Sequence, residues 1–155
     1  LIASSVPFQV NIEKMSRELG ISKQYVYQYI DHLDAAGLIN AVPHGGTGHK
    51  TVRKPAKILM SNSNLLFAVN RAMLAEAERG YVRETFFVSQ LAQLFKTTIS
   101  DHGDFKVADR YVFEIGGAGK GQEQIKNVPN AFIAADGIEV GFANTIPLYL
   151  LGFLY

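Results

Sequence analysis

The sequence predicts an α+β chain, and three observations predict it. Residues 11–37 carry apolar side chains at helical spacing, punctuated by Gly20 and closed by Gly37. Residues 38–60 hold two strand-like runs around a glycine-rich tip. From residue 62 onward, two helical patterns precede a series of short apolar runs separated by turn residues. Composition agrees: 155 residues, 48% hydrophobic and 19% charged, suit one domain or two small ones sharing an interface, and exclude wholesale disorder. With no Cys there is no disulfide, no zinc finger and no thiol nucleophile. The longest nearly uncharged apolar stretch, Ile146 to Tyr155, is too short to span a bilayer, and nothing resembles a secretory signal. A soluble, cytoplasmic protein is expected, and a start at Leu1 rather than Met suggests a fragment of something longer.

The first helix is expected between Asn11 and Gly20, with Ile12, Met15 and Leu19 on one side. The Asn11 side chain is a natural cap for it, and Gly20 a natural stop. Ser22 caps the second helix, whose buried stripe is Val26, Ile30 and Leu33, ending near Gly37. Leu38 to Val42 then reads as a strand, His44 to Lys50 as a flexible hairpin tip, and Thr51 to Met60 as the returning strand. Helix, turn, helix, strand, loop and strand is the order of a winged helix, which defines a first domain over residues 1–60.

Charge supports a division of labour. Residues 1–60 hold seven Lys and Arg against four Asp and Glu, and residues 61–155 hold eight against ten. On a DNA-binding reading, Lys23, Gln24, Tyr27 and Gln28 on the open face of the second helix enter the major groove. Lys50, Arg53 and Lys54 of the wing contact phosphates, with His44 and His49 nearby. Against this stand Asp31 and Asp34 on the same helix, and winged helices also serve as protein–protein modules. The four His (His32, His44, His49 and His102) show no ligand spacing with carboxylates, so no metal site is expected on them.

The second domain, residues 61–155, opens with a helix from Asn62 to Ala77 and another from about Tyr81 to Phe95. Glu84 falls in the first turn of the latter, where a carboxylate complements the helix dipole. Strands are expected at Thr97–Ser100, Phe105–Val107, Tyr111–Ile115 and Ala131–Ala135, with Ala108-Asp109-Arg110 as a hairpin turn. A short helix lies around Gln122–Asn127, and the tail from Ile138 to Tyr155 holds further short strands and a turn at Asn144.

Gly103-Asp104-Phe105, then Tyr111-Val-Phe-Glu114-Ile-Gly-Gly, then Gln122-Glu-Gln-Ile-Lys126 resembles the PD-(D/E)XK nuclease-like fold. The wider run is similar to the C-terminal regions of predicted prokaryotic AAA-type ATP-binding proteins of uncharacterised role. It extends through Lys54-Pro-Ala-Lys-Ile-Leu-Met, Arg83-Glu84-Thr-Phe-Phe-Val and Phe-Glu114-Ile-Gly-Gly to Gly152-Phe-Leu-Tyr155. The resemblance implies a winged helix followed by a small restriction-endonuclease-like α/β domain. It also implies an N-terminal ATPase module of the same chain that handles ATP and Mg²⁺.

The chemistry of that nuclease fold needs two strand carboxylates aimed at one Mg²⁺, and a Lys two residues after the second to position the water. Asp104 and Glu114 match the carboxylates, and Glu84 matches an acidic residue from the first helix. The Lys position is Gly116, so Lys120 or Lys106 would have to swing in. The expectation is a vestigial site that holds no metal; Asp104 and Glu114 would hold Mg²⁺ were it active. The run Gly116-Gly-Ala-Gly-Lys120-Gly121 lacks the Ser or Thr and the earlier Gly of a phosphate-binding Walker loop. It is expected to link strand to helix, with φ > 0 at some glycines and no cofactor bound.

Three functions remain open on these grounds. The first is a DNA- or protein-binding regulatory module with an inactive nuclease-like domain, its partners double-stranded DNA and the ATPase module. The second is an active Mg²⁺-dependent DNA endonuclease. The third is an oligomerisation domain, with Tyr149, Phe153 and Tyr155 joining Phe86 and Phe87 in a homo-oligomer interface.

Overall fold

The computed structural model describes residue 2, residues 8–45 and residues 54–154. Lys50, Arg53 and His49, with residues 46–48 of the expected hairpin tip and Tyr155, lie outside the described residues. Short local signals set the front half. After strand β1 (Phe8–Gln9), the Asn11 side chain accepts from Lys14 N–H at 2.9 Å and starts α1 (Ile12–Leu19). Gly20 ends it in the left-handed region at φ 66°. Ser22 caps α2 (Lys23–Ala35), and Gly37, at φ 68°, turns the chain into β2 (Ile39–Pro43). β3 (Pro55–Met60) pairs antiparallel with both β1 and β2, giving the order β1-β3-β2.

Asn62 caps α3 (Ser63–Ala72), which stops five residues before the expected Ala77 because Leu74 turns left-handed at φ 53°. α4 (Arg79–Leu91) starts earlier than expected, since the Glu78 carboxylate accepts from Gly80 and Tyr81 N–H, both at 2.8 Å. Glu84 therefore lies in the second turn of α4, not the first. A five-stranded sheet follows: β4 (Thr97–Ile99), β5 (Phe105–Val107), β6 (Tyr111–Gly117), β7 (Ala131–Asp136) and β8 (Thr145–Pro147), neighbours in that order. β4, β5 and β6 run antiparallel, whereas β6, β7 and β8 are parallel. The short helix expected at Gln122–Asn127 is a 3₁₀ turn over Glu123–Ile125. The tail departs from the expected strands after β8. Leu148–Phe153 is a 3₁₀ helix that buries Leu148 and Leu151, which share a face at three residues per turn.

The sheet has a different cover on each side. On one face α4 lays Phe87, stacked on Phe105 at 5.5 Å and tilted against Phe113 at 5.0 Å. On the other, the β6–β7 connection brings Ile125 down onto Val112, Ala131, Ile133 and Ala135. The α4 side belongs to an apolar cluster that also takes in Met15, Val26 and Ile30 of the front helices with Ile58 and Leu59 of β3. The smaller sheet and the larger one touch where His44 bridges Ile99. Phe87 is fully buried and so contributes nothing to a subunit interface, while Phe86 is partly buried and packs beside Gly152. Tyr149 and Phe153 remain exposed. Among the described residues no helix is long and apolar enough to cross a membrane.

Tyr81 sits in this shared core with its hydroxyl donating to Ile2 O at 2.8 Å, and burial pushes its pKa up to about 12. The unfolded chain loses this proton near pH 10, whereas the folded one holds it, so the contribution is complete below pH 10 and lost toward 12. Between pH of about 9 and about 12, denaturant titration is expected to show the wild type losing roughly 2–3 kcal/mol more stability than Tyr81→Phe.

Candidate active site

Two carboxylates of the expected set stand at one end of the β5–β6 pair. Asp104 immediately precedes β5, and its Oδ2 accepts from Ile115 N–H of β6 at 2.7 Å. The carboxylate thus takes a ladder position that the backbone of β5 does not fill. Glu114 projects from β6 toward the β6–β7 connection, and its side chain is 1% exposed. Burial raises the Glu114 pKa, and Asp104 is close enough to raise it further; Lys120 opposes both.

Lys120 supplies the compensating charge. Its Nζ lies 2.5 Å from Glu114 Oε1, and this hydrogen bond raises the lysine's own pKa. The route of the side chain explains Gly116. A Cβ placed there would lie 2.7 Å from Cβ, Cγ and Cδ of Lys120, so the lysine stem fills the volume a side chain at 116 would need. None of the glycines in the run 116–121 has a positive φ, contrary to expectation. Gly116 is required for room, not for backbone freedom, and with Gly117 it still belongs to β6. Lys106, the other candidate amine, is held mid-strand in β5 opposite Val112. Gln124, from the 3₁₀ turn, completes the setting: with its amide turned to suit the carboxylate, it donates to Glu114 Oε2 at 2.7 Å.

Glu84 stands apart from Glu114, on the α4 side of the sheet. Its Oε2 receives Lys57 Nζ of β3 at 2.6 Å, with side chains only 12% and 14% exposed, and Lys57 also lies 5.2 Å from the Phe105 ring centre. Burial raises the Glu84 pKa, the Lys57 charge and hydrogen bond pull it down, and Asp104 adds a weaker push upward. The helix dipole is not what holds Glu84; a lysine from the front half is. Sequence reading missed Lys57, Gln124 and the Arg83–Asp136 pair at 2.9 Å beside Gly117. The strand alternation of residues 55–60 was the one available signal for Lys57, and its burial pattern is irregular.

The front-half residues separate into two groups. Gln24 and Gln28 are exposed on α2, and Lys23 is ion-paired to Glu13 of α1, which lowers the Glu13 pKa. Tyr27 is half-buried and turned toward the rest of the chain, where it lines a cavity with Lys54, Lys57 and Asp104. It does not stand on the open face of α2.

Among the described residues no group of three or more His, Asp or Glu could hold a metal ion. Asp104 and Glu114 are the carboxylates at this end of the sheet that could hold a hard cation such as Mg²⁺, which keeps several waters and accepts one or two carboxylates. No protein-family model matches the chain, and no curated protein or solved structure matches it either.

Two measurements check this geometry. Lys57→Met and Glu84→Leu are each expected to cost about 3 kcal/mol by stranding a charge, and the double variant to recover most of it. Gly116→Ala is expected to cost roughly 1–3 kcal/mol through overpacking. In a Lys120→Gly background, where the obstructing stem is gone, the same change should cost less than about 0.5 kcal/mol.

Proposed function

We propose that the chain is a Mg²⁺-dependent phosphodiesterase of the PD-(D/E)XK type that acts on nucleic acid, its lysine delivered by the loop after β6. The observation that carries this reading is the Lys120 ammonium 2.5 Å from Glu114 Oε1, in a site where Asp104 is the neighbouring carboxylate. The amine missing from position 116 is present in space. Asp104 and Glu114 would hold the ion, which when bound supplies a Lewis acid for the phosphoryl oxygens and lowers the pKa of a water. Ile115 N–H fixes the Asp104 carboxylate and Gln124 steadies Glu114, so both anions are oriented before substrate arrives. Lys120 holds a positive charge where negative charge grows on the phosphoryl group, and its N–H groups can orient the attacking water.

The front half, read as a winged helix, brings the nucleic acid to this end of the sheet. On the resemblance to C-terminal regions of AAA-type proteins, ATP hydrolysis would belong to a separate module, with this chain as its nucleic-acid-processing part.

Incubation of the purified chain with a DNA oligonucleotide and with bis(p-nitrophenyl) phosphate, in Mg²⁺ or Mn²⁺, tests the reading. Hydrolysis is expected, and Asp104→Asn and Lys120→Met should each lower kcat by roughly 100-fold or more. No hydrolysis with either ion would instead favour an inert scaffold that only binds. Cleavage that survives Asp104→Asn would belong to a contaminant.

A further inference from the structure

A cavity of about 560 Å³ lies between Tyr27 of α2, the start of β3 and Ile99 of β4, and Asp104 forms part of its wall. Its position matters because Asp104 is also one of the two carboxylates of the site above. Whatever fills the cavity therefore ends beside the place where the scissile phosphate would be held.

Its walls are of two kinds. Tyr27, half-buried, and Ile99 present ring and apolar surface, while Lys54 and His44 stand exposed on its lining. Lys57 also lines it, but its charge is already matched by Glu84. An aromatic face with cations close by suits a nucleobase and its phosphates, since every base offers a π-face and every linkage a negative charge. The volume falls in the range of pockets that enclose one small ligand, roughly 300–1,000 Å³. One or two nucleotides fit such a space; a duplex does not.

We propose, resting on the phosphodiesterase reading, that this cleft takes the unpaired end of a nucleic-acid strand. Tyr27 stacks on a base, Lys54 and His44 hold the adjoining phosphates, and the next linkage lies at Asp104 and Glu114. The second helix of the front half then forms the wall of a single-strand channel, and its Gln24 and Gln28 face are not the reading surface for a major groove.

Fluorescence anisotropy with a labelled oligo-dT strand and a blunt duplex of the same length, both in EDTA so that no cleavage occurs, tests this. The single strand is expected to bind at least tenfold tighter than the duplex. Tyr27→Ala should weaken single-strand binding by about tenfold, from the loss of one stacked base. Tyr27→Phe, which keeps the ring and protects against a mere packing defect, should bind like the wild type. Lys54→Glu should weaken binding further and flatten its salt dependence. Equal or tighter duplex binding, or a Tyr27→Ala variant that binds like wild type, would overturn the channel. Hydrolysis of bis(p-nitrophenyl) phosphate by the wild type reports on the carboxylate site alone, so failure of that site and failure of the channel are told apart.

Discussion

A carboxylate placed inside a sheet dictates much of the architecture around it. Glu114 is 1% exposed, and an ionised group in such a place costs several kcal/mol unless a cation and further donors meet it. The chain answers with Lys120 on one oxygen and Gln124 on the other, both from the connection that crosses from β6 to β7. That connection could have been a plain link between parallel strands. Its path is constrained instead by the need to return an amine to the strand it has just left. The missing side chain at Gly116 is what leaves space for the return.

The opposite side of the sheet solves the same problem with residues from further away. Glu84 on α4 is buried against the core, and its counter-charge comes from β3 in the front half. This ion pair lies against the Phe105 ring, which is itself stacked on Phe87, so charge compensation and aromatic packing are joined at one point. The front half is held to the back by this pair, by the common apolar cluster and by the His44–Ile99 bridge. Such coupling fixes the wall of the cleft carrying Tyr27 and Lys54 with respect to Asp104, as a site assembled from two segments requires.

Local features of the fold were legible in the sequence wherever the governing physics is local. Asn11, Ser22, Gly20 and Gly37 mark their helix ends because capping and left-handed turns involve only a few neighbouring residues. The turn at Ala108-Asp109-Arg110 was readable too, with Ala108 and Asp109 both left-handed at φ 52° and 54°. Asp104, Glu114 and Lys120 as a substitute amine were named through a resemblance, not from periodicity. Which of Lys120 and Lys106 meets Glu114 was not readable, because Lys120 arrives by a loop whose course no periodicity encodes. Lys57 was hidden for a similar reason: its partner is 27 residues away on another element. The inward turn of Tyr27 depended on how the two halves pack, which α2 alone does not reveal.

The crowding between position 116 and the stem of Lys120 also limits which single changes this site admits. Rotating the lysine about its side-chain bonds cannot relieve it, because Cβ, fixed by the backbone, is among the colliding atoms. A strand-borne amine and a loop-borne amine are therefore mutually exclusive occupants of one volume. Any side chain introduced at 116 requires that Lys120 be shortened first or in the same step, so the two positions can change only as a linked pair.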